Sequence, residues 1–112
     1  MKFSVRERKN VVIIQLDGEM VGGPDAALLS EELHDLIESG QNKIIVDMAM
    51  VDWMNSSGLG ILIGGLTTVR NSGGDLKLLH LAKKLEELLR ITKLQRVFEV
   101  FNDEGDAVAS FS

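Results

Sequence analysis

Two short runs of uninterrupted aliphatic residues constrain this chain more than any other feature. "VVIIQL" (Val11 to Leu16) and "KIIVDM" (Lys43 to Met48) place apolar side chains at consecutive positions. A strand points successive side chains to opposite faces, so such runs need cover on both sides of a sheet. Between them, "EMVGGPDAALLSEELHDLIESG" changes period, and Leu29, Leu33, Leu36 and Ile37 recur at helical spacing. Pro24 fits the first turn of that helix, and Gly40 stands where a C-terminal cap is expected. Strand, helix and strand in that order make a right-handed crossover between parallel strands.

The rest of the chain repeats this unit. Phe3 and Val5 alternate with charged residues, which predicts an edge strand paired as an antiparallel hairpin with the run at Val11, itself closed by Asp17-Gly18. A helix is predicted from about Ser57 to Asn71, ended by "NSGG", followed by a strand over "DLKLLHL" (Asp75 to Leu81). "AKKLEELLRI" reads as an amphipathic helix with Leu85, Leu88 and Leu89 inward. "RVFEVF" (Arg96 to Phe101) reads as a last strand, after which Asn102 or Asp103 caps a short helix. The order β-β-α-β-α-β-α-β-α over residues 1–112 predicts a single α/β domain. Its central sheet should be mostly parallel, of about five strands after an initial antiparallel hairpin, with about four helices.

Composition removes several functions. The chain has no cysteine, so disulfides and thiolate metal sites are excluded. His34 and His80 share no ligand motif, and neither a metal nor another cofactor is expected. A net charge of −5 argues against a nucleic-acid or anionic-membrane surface. No apolar run reaches the roughly 18 residues of a membrane span. "MKFSVRERKN" has no apolar signal region, so a cytoplasmic protein is expected.

"MVDWMNSSGLGILIGG" (residues 50 to 65) combines two serines, four glycines and a helical run of aliphatics. On a helical wheel Leu59, Leu62, Ile63, Leu66 and Val69 form the core stripe. The opposite face carries Ser57, Gly60, Gly64, Thr68 and Asn71, with Ile61 beside them. Each interior glycine costs a helix about 1 kcal/mol relative to alanine. A smooth face kept at that cost suggests either a docking partner or a tightly packed internal neighbour. Asn55, Ser56 and Ser57 stand where side-chain oxygens cap free backbone N–H groups, which would account for both serines structurally. The same helix start favours added negative charge, so a phosphoserine there would leave the fold intact while placing charge beside a neutral face. Trp53 reads as a partly buried loop anchor, with partner contact as the alternative.

Catalytic motifs are missing from this stretch. "NSSGLG" is neither a nucleophile elbow nor a phosphate-binding loop, and no catalytic residue is predicted. The segment from Val51 to Val100 resembles the core of a STAS domain, specifically the stand-alone anti-sigma factor antagonists of bacteria. The "LDGEM" strand end, the "N-S-S-G-L-G" step and "ITKLQRVFEVF" carry the resemblance over nearly the whole chain. It implies a non-enzymatic module that binds an anti-sigma factor serine kinase and so frees a sigma factor. It also implies phosphorylation of Ser56 as the off-switch and a PP2C-type phosphatase that resets it. The implied partner surface comprises Met20, Val21, Gly22, Gly23, Asn55, Ser57, Gly58, Leu59, Gly60, Ile61 and Gly64. Two positions depart from the family pattern: Asn55 stands where many members have Asp, and Val21 where an acidic residue is frequent. The second reading is a constitutive STAS scaffold of a sensor complex or transporter-associated module, in which Ser56 is only a helix cap.

Overall fold

The computed structural model describes residues 2–19 and 23–112. Strand β1 (Lys2–Arg8) runs antiparallel to β2 (Val11–Asp17), with Arg8 opposite Val11. The two-residue turn between them, Lys9 and Asn10, has positive φ at both positions (52° and 67°). That backbone matches the right-handed twist of a hairpin, although neither residue is glycine. Helix α1 (Pro24–Glu38) then returns the chain to β3 (Lys43–Met50), which pairs parallel with β2. Pro24 occupies the first turn, and Gly40 at φ 84° donates its N–H to the Ile37 carbonyl (3.0 Å) to close the other end.

Helix α2 (Ser56–Asn71), β4 (Asp75–Leu79), α3 (Lys83–Ile91), β5 (Val100–Phe101) and α4 (Glu104–Ala109) complete the chain. Sheet order follows sequence order, β1-β2-β3-β4-β5, with every pairing after the hairpin parallel. Strand alternation divides the core in two. Val12, Ile14, Ile44, Val46, Leu76 and Leu78 point to the face covered by α1, α2 and α3. Val11, Ile13, Ile45 and Leu79 point to the other face, where Ala107 and Val108 of α4 cover them. The uninterrupted aliphatic runs therefore feed two apolar layers from one sheet.

One predicted strand is much shorter than expected. Of "RVFEVF" only Val100 and Phe101 are strand. Lys93 adopts φ 62°, the Leu94 N–H reaches back to the Leu89 carbonyl (2.8 Å), and the Val97 N–H bonds the Leu94 carbonyl (3.0 Å). These turns tuck Phe98 into the core at 3% exposure, with Leu94 and Val97 packed beside it. The apolar residues before Val100 thus close the α3–β5 connection instead of extending the sheet. The inward face of α3 is as expected: Leu85 and Leu89 are buried, and the half-buried Leu88 packs against the same core.

Candidate functional site

The segment around the two serines begins where β3 ends. Val51 and Met54 are each 1% exposed and pin the connecting loop to the core, which fixes the start of α2. Asn55 has extended backbone, and its Oδ1 accepts a hydrogen bond from the Gly58 N–H at 2.9 Å. Its carbonyl accepts from the Leu59 N–H, also at 2.9 Å. Asn55 is therefore the N-cap, and the serines are not. Ser56 and Ser57 are the first two helical residues, and both are exposed. The first turn holds no acidic side chain, so nothing there offsets the positive end of the helix dipole. The expectation that the serines cap this helix fails because Asn55 has the extended backbone that a cap requires.

One residue of separation sends the two hydroxyls to different surroundings, since successive helical residues differ by about 100°. Ser57 opens onto a groove of about 490 Å³ between α1 and α2. Gly60, Gly64 and Thr68 continue its α2 wall, and Gly23, Ala26 and Ser30 supply the wall across from them. Leu29, Leu33, Ile61 and Gly65 form the floor. Ser56, with Asn55, lines a second, more apolar groove of about 390 Å³ between the β3–α2 loop and α3.

The helix glycines separate into two kinds. A Cβ on Gly65 would lie 3.0 Å from Leu33 Cδ1 and 3.5 Å from Leu76 Cδ1, so this glycine serves internal packing. A Cβ on Gly60 or Gly64 would meet nothing within 4 Å among the described residues. Among the described residues, no neighbour requires those two positions to be bare.

Of the predicted partner surface, the structure brings Gly23, Ser57, Gly60 and Gly64 to one exposed groove rim. Gly58 is buried, Leu59 is 4% exposed and Ile61 9%, so these three offer a partner little surface, Ile61 only as groove lining. The wheel set Ile61 beside the small face, but α1 packs over it and turns it into groove floor. Ile63, assigned to the core stripe, is half-buried and packs against the core. Met20, Val21 and Gly22 lie outside the described residues. Trp53, expected as a partly buried loop anchor, is 52% exposed and borders the second groove.

A His–carboxylate pair exists elsewhere. His80 Nδ1 lies 3.0 Å from Oδ1 of the buried Asp47, which also accepts from the Ala49 N–H at 3.0 Å. By strand alternation Asp47 shares the Ile45 side, the face covered by α4, whereas α2 lies on the opposite face. The sheet thus stands between Asp47 and the serines, and no nucleophilic triad assembles from them.

A beta-first sheet in sequential order, three helices on one face and a capped helix leaving the third strand define a known class. A family model described as STAS domain matches residues 2–107, and the chain belongs to that family. It is 31% identical over 100 residues to the anti-sigma-B factor antagonist of Bacillus subtilis, covering 89% of this chain and 90% of that protein. A Thermotoga maritima crystal structure bearing the anti-sigma factor antagonist designation superposes with a TM-score of 0.85 at 26% identity, covering 96% of this chain and 92% of that one. The Bacillus cell fate determinant SpoIIAA in its phosphorylated form shares the fold at a TM-score of 0.75 and 19% identity, covering 99% of this chain and all of that one.

Proposed function

We propose that this chain is an anti-sigma factor antagonist: a non-enzymatic module that binds an anti-sigma factor serine kinase and so releases a sigma factor. Phosphorylation of Ser56 turns binding off, and a PP2C-type phosphatase restores it, in the cytoplasm where sigma factors act. The relatives named as antagonists support the general role. The observation that carries the switch is the division of labour at the start of α2. Asn55 holds the cap, which leaves the exposed Ser56 hydroxyl without a structural task there.

Charge arithmetic favours a switch that leaves the fold intact. A phosphate on Ser56 would bring about −1.5 to −2 charge at neutral pH to a helix N-terminus. That position has free N–H groups and no acidic side chain, so helix stability is kept or raised. The same charge would stand at the rim of two largely apolar grooves that a partner must desolvate, where an unpaired anion is costly. The fold accommodates such a group, since SpoIIAA has been solved phosphorylated.

The scaffold alternative made Ser56 a cap, and the cap is Asn55. Incubation with the purified anti-sigma kinase and ATP, followed by peptide mass mapping, tests the reading. One phosphate on Ser56 in wild type, none in Ser56→Ala, and loss of kinase binding in Ser56→Glu are expected. Equal phosphorylation of Ser56→Ala, or full binding by Ser56→Glu, would overturn it.

A further inference from the structure

The groove on the Ser56 side is built differently from the glycine groove. Trp53, Leu85, Leu88 and Ile91 line it, and Lys84 and Glu87 set one charge of each sign on its border. Trp53 is 52% exposed and Ile91 66%, which makes Ile91 the most exposed large hydrophobic side chain among the described residues. Single exposed apolar residues need no explanation, but here two converge on one concavity. Internal packing does not require the exposure: Ile91 is the last residue of α3, and the helix already seats itself through Leu85 and Leu89, each 1% exposed.

Ser56 and Asn55 line this same groove. A kinase that takes the Ser56 hydroxyl into its active site must therefore cover Trp53 and Ile91. The Ser57 groove begins one residue further on, so the two concavities form one surface joined at the paired serines.

We infer that the Trp53–Ile91 groove is the apolar anchor of the same anti-sigma factor, receiving an aliphatic or aromatic side chain of that protein beside the reacting serine. The inference rests on the functional reading above. A Trp-walled concavity at the centre of a desolvated patch is where binding energy concentrates, while the charged border sets orientation. Anchoring outside the reacting hydroxyl also explains how the partner selects this serine. A side chain seated away from the reacting hydroxyl binds equally in the ground and transition states, so its loss raises KM with little effect on kcat.

The test uses the full chain against each serine-kinase anti-sigma factor of the source organism, purified singly. Binding is read by calorimetry and phosphorylation by steady-state kinetics. Trp53→Ala and Ile91→Asp are each expected to weaken binding at least about tenfold and to raise KM for phosphorylation similarly, with kcat within about twofold. Val5→Ala, an exposed position on β1, should change neither. Ile91→Ala keeps the test sound if the Trp53 variant disturbs the loop, because truncating a residue 66% exposed leaves the fold unaltered. Wild-type binding that Ile91→Asp and Ile91→Ala leave within twofold overturns the anchor while the functional reading stands. Absence of wild-type binding to every such kinase overturns the functional reading itself, and the anchor with it.

Discussion

Gly60 and Gly64 allow stability and function to be separated by a single methyl group. Both lie inside α2, and a Cβ built on either meets no atom of the described residues within 4 Å. Alanine at each position should therefore yield the full intrinsic difference in helix propensity, about 1 kcal/mol apiece. Unfolding entropy near 60 °C is about 2.1 cal/mol/K per residue. For 112 residues, 1 kcal/mol then corresponds to about 4 °C. The double variant Gly60→Ala/Gly64→Ala should melt about 8 °C higher than wild type by calorimetry, with a raised denaturation midpoint and an unchanged m-value. Gly65→Ala is the internal control. Its Cβ would crowd Leu33 at 3.0 Å, so its helix gain is offset and no comparable stabilisation is expected. If the face is a contact, the two methyls that stabilise the fold should weaken anti-sigma factor binding by at least about tenfold, roughly 1.4 kcal/mol. A double variant no more stable than wild type would refute the open-face geometry. A stabilised variant that binds as before would refute the docking role and leave the glycines unexplained.

The cap makes a prediction about neighbouring residues: Asn55→Ala should lose about 1 kcal/mol, whereas Ser56→Ala should stay within about 0.5 kcal/mol in urea unfolding. Asn55→Asp keeps the accepting oxygen and adds charge at the helix start, so a gain of about 0.3 to 1 kcal/mol that shrinks with salt is expected. On the other face of the sheet, α4 is tied to β1 by Glu104, whose carboxyl is lowered from 4.5 to about 2 chiefly by the Arg6 hydrogen bond, with Arg8 adding a contact at 2.8 Å. A lowered carboxylate stabilises the fold above its unfolded value, and that stability fades as pH falls from about 4.5 toward 2. Because the two guanidinium side chains are 49% and 43% exposed, solvent screening holds the contribution to roughly 1 kcal/mol. Glu104→Gln should remove that amount at neutral pH and flatten the acid limb of the stability profile.

Much of the architecture was legible in the order of residues alone. The aliphatic runs at Val11 and Lys43 and the helical stripe from Leu29 to Ile37 depend on local period, so strand, helix and their alternation followed without tertiary information. The bare face of α2 was legible for the same reason: Ser57, Gly60, Gly64 and Thr68 share a side of any helix built from them.

Only the tertiary structure decided what lies opposite each face. Ile61 and Ser57 are close on the wheel, yet α1 buries the first and leaves the second open. Gly60 and Gly65 look alike in sequence, and only the position of Leu33 shows that one is internal packing and the other a bare surface. Phe98 looks like a strand residue until the return from α3 draws it into the core. The cap depended on one backbone conformation: among three candidate residues, the extended one at position 55 took the Gly58 N–H and left Ser56 available. The groove joining Trp53 to Ile91 brings together residues 38 positions apart. Local periodicity acts within a few residues and settles the elements; what an exposed surface offers depends on which distant element packs beside it.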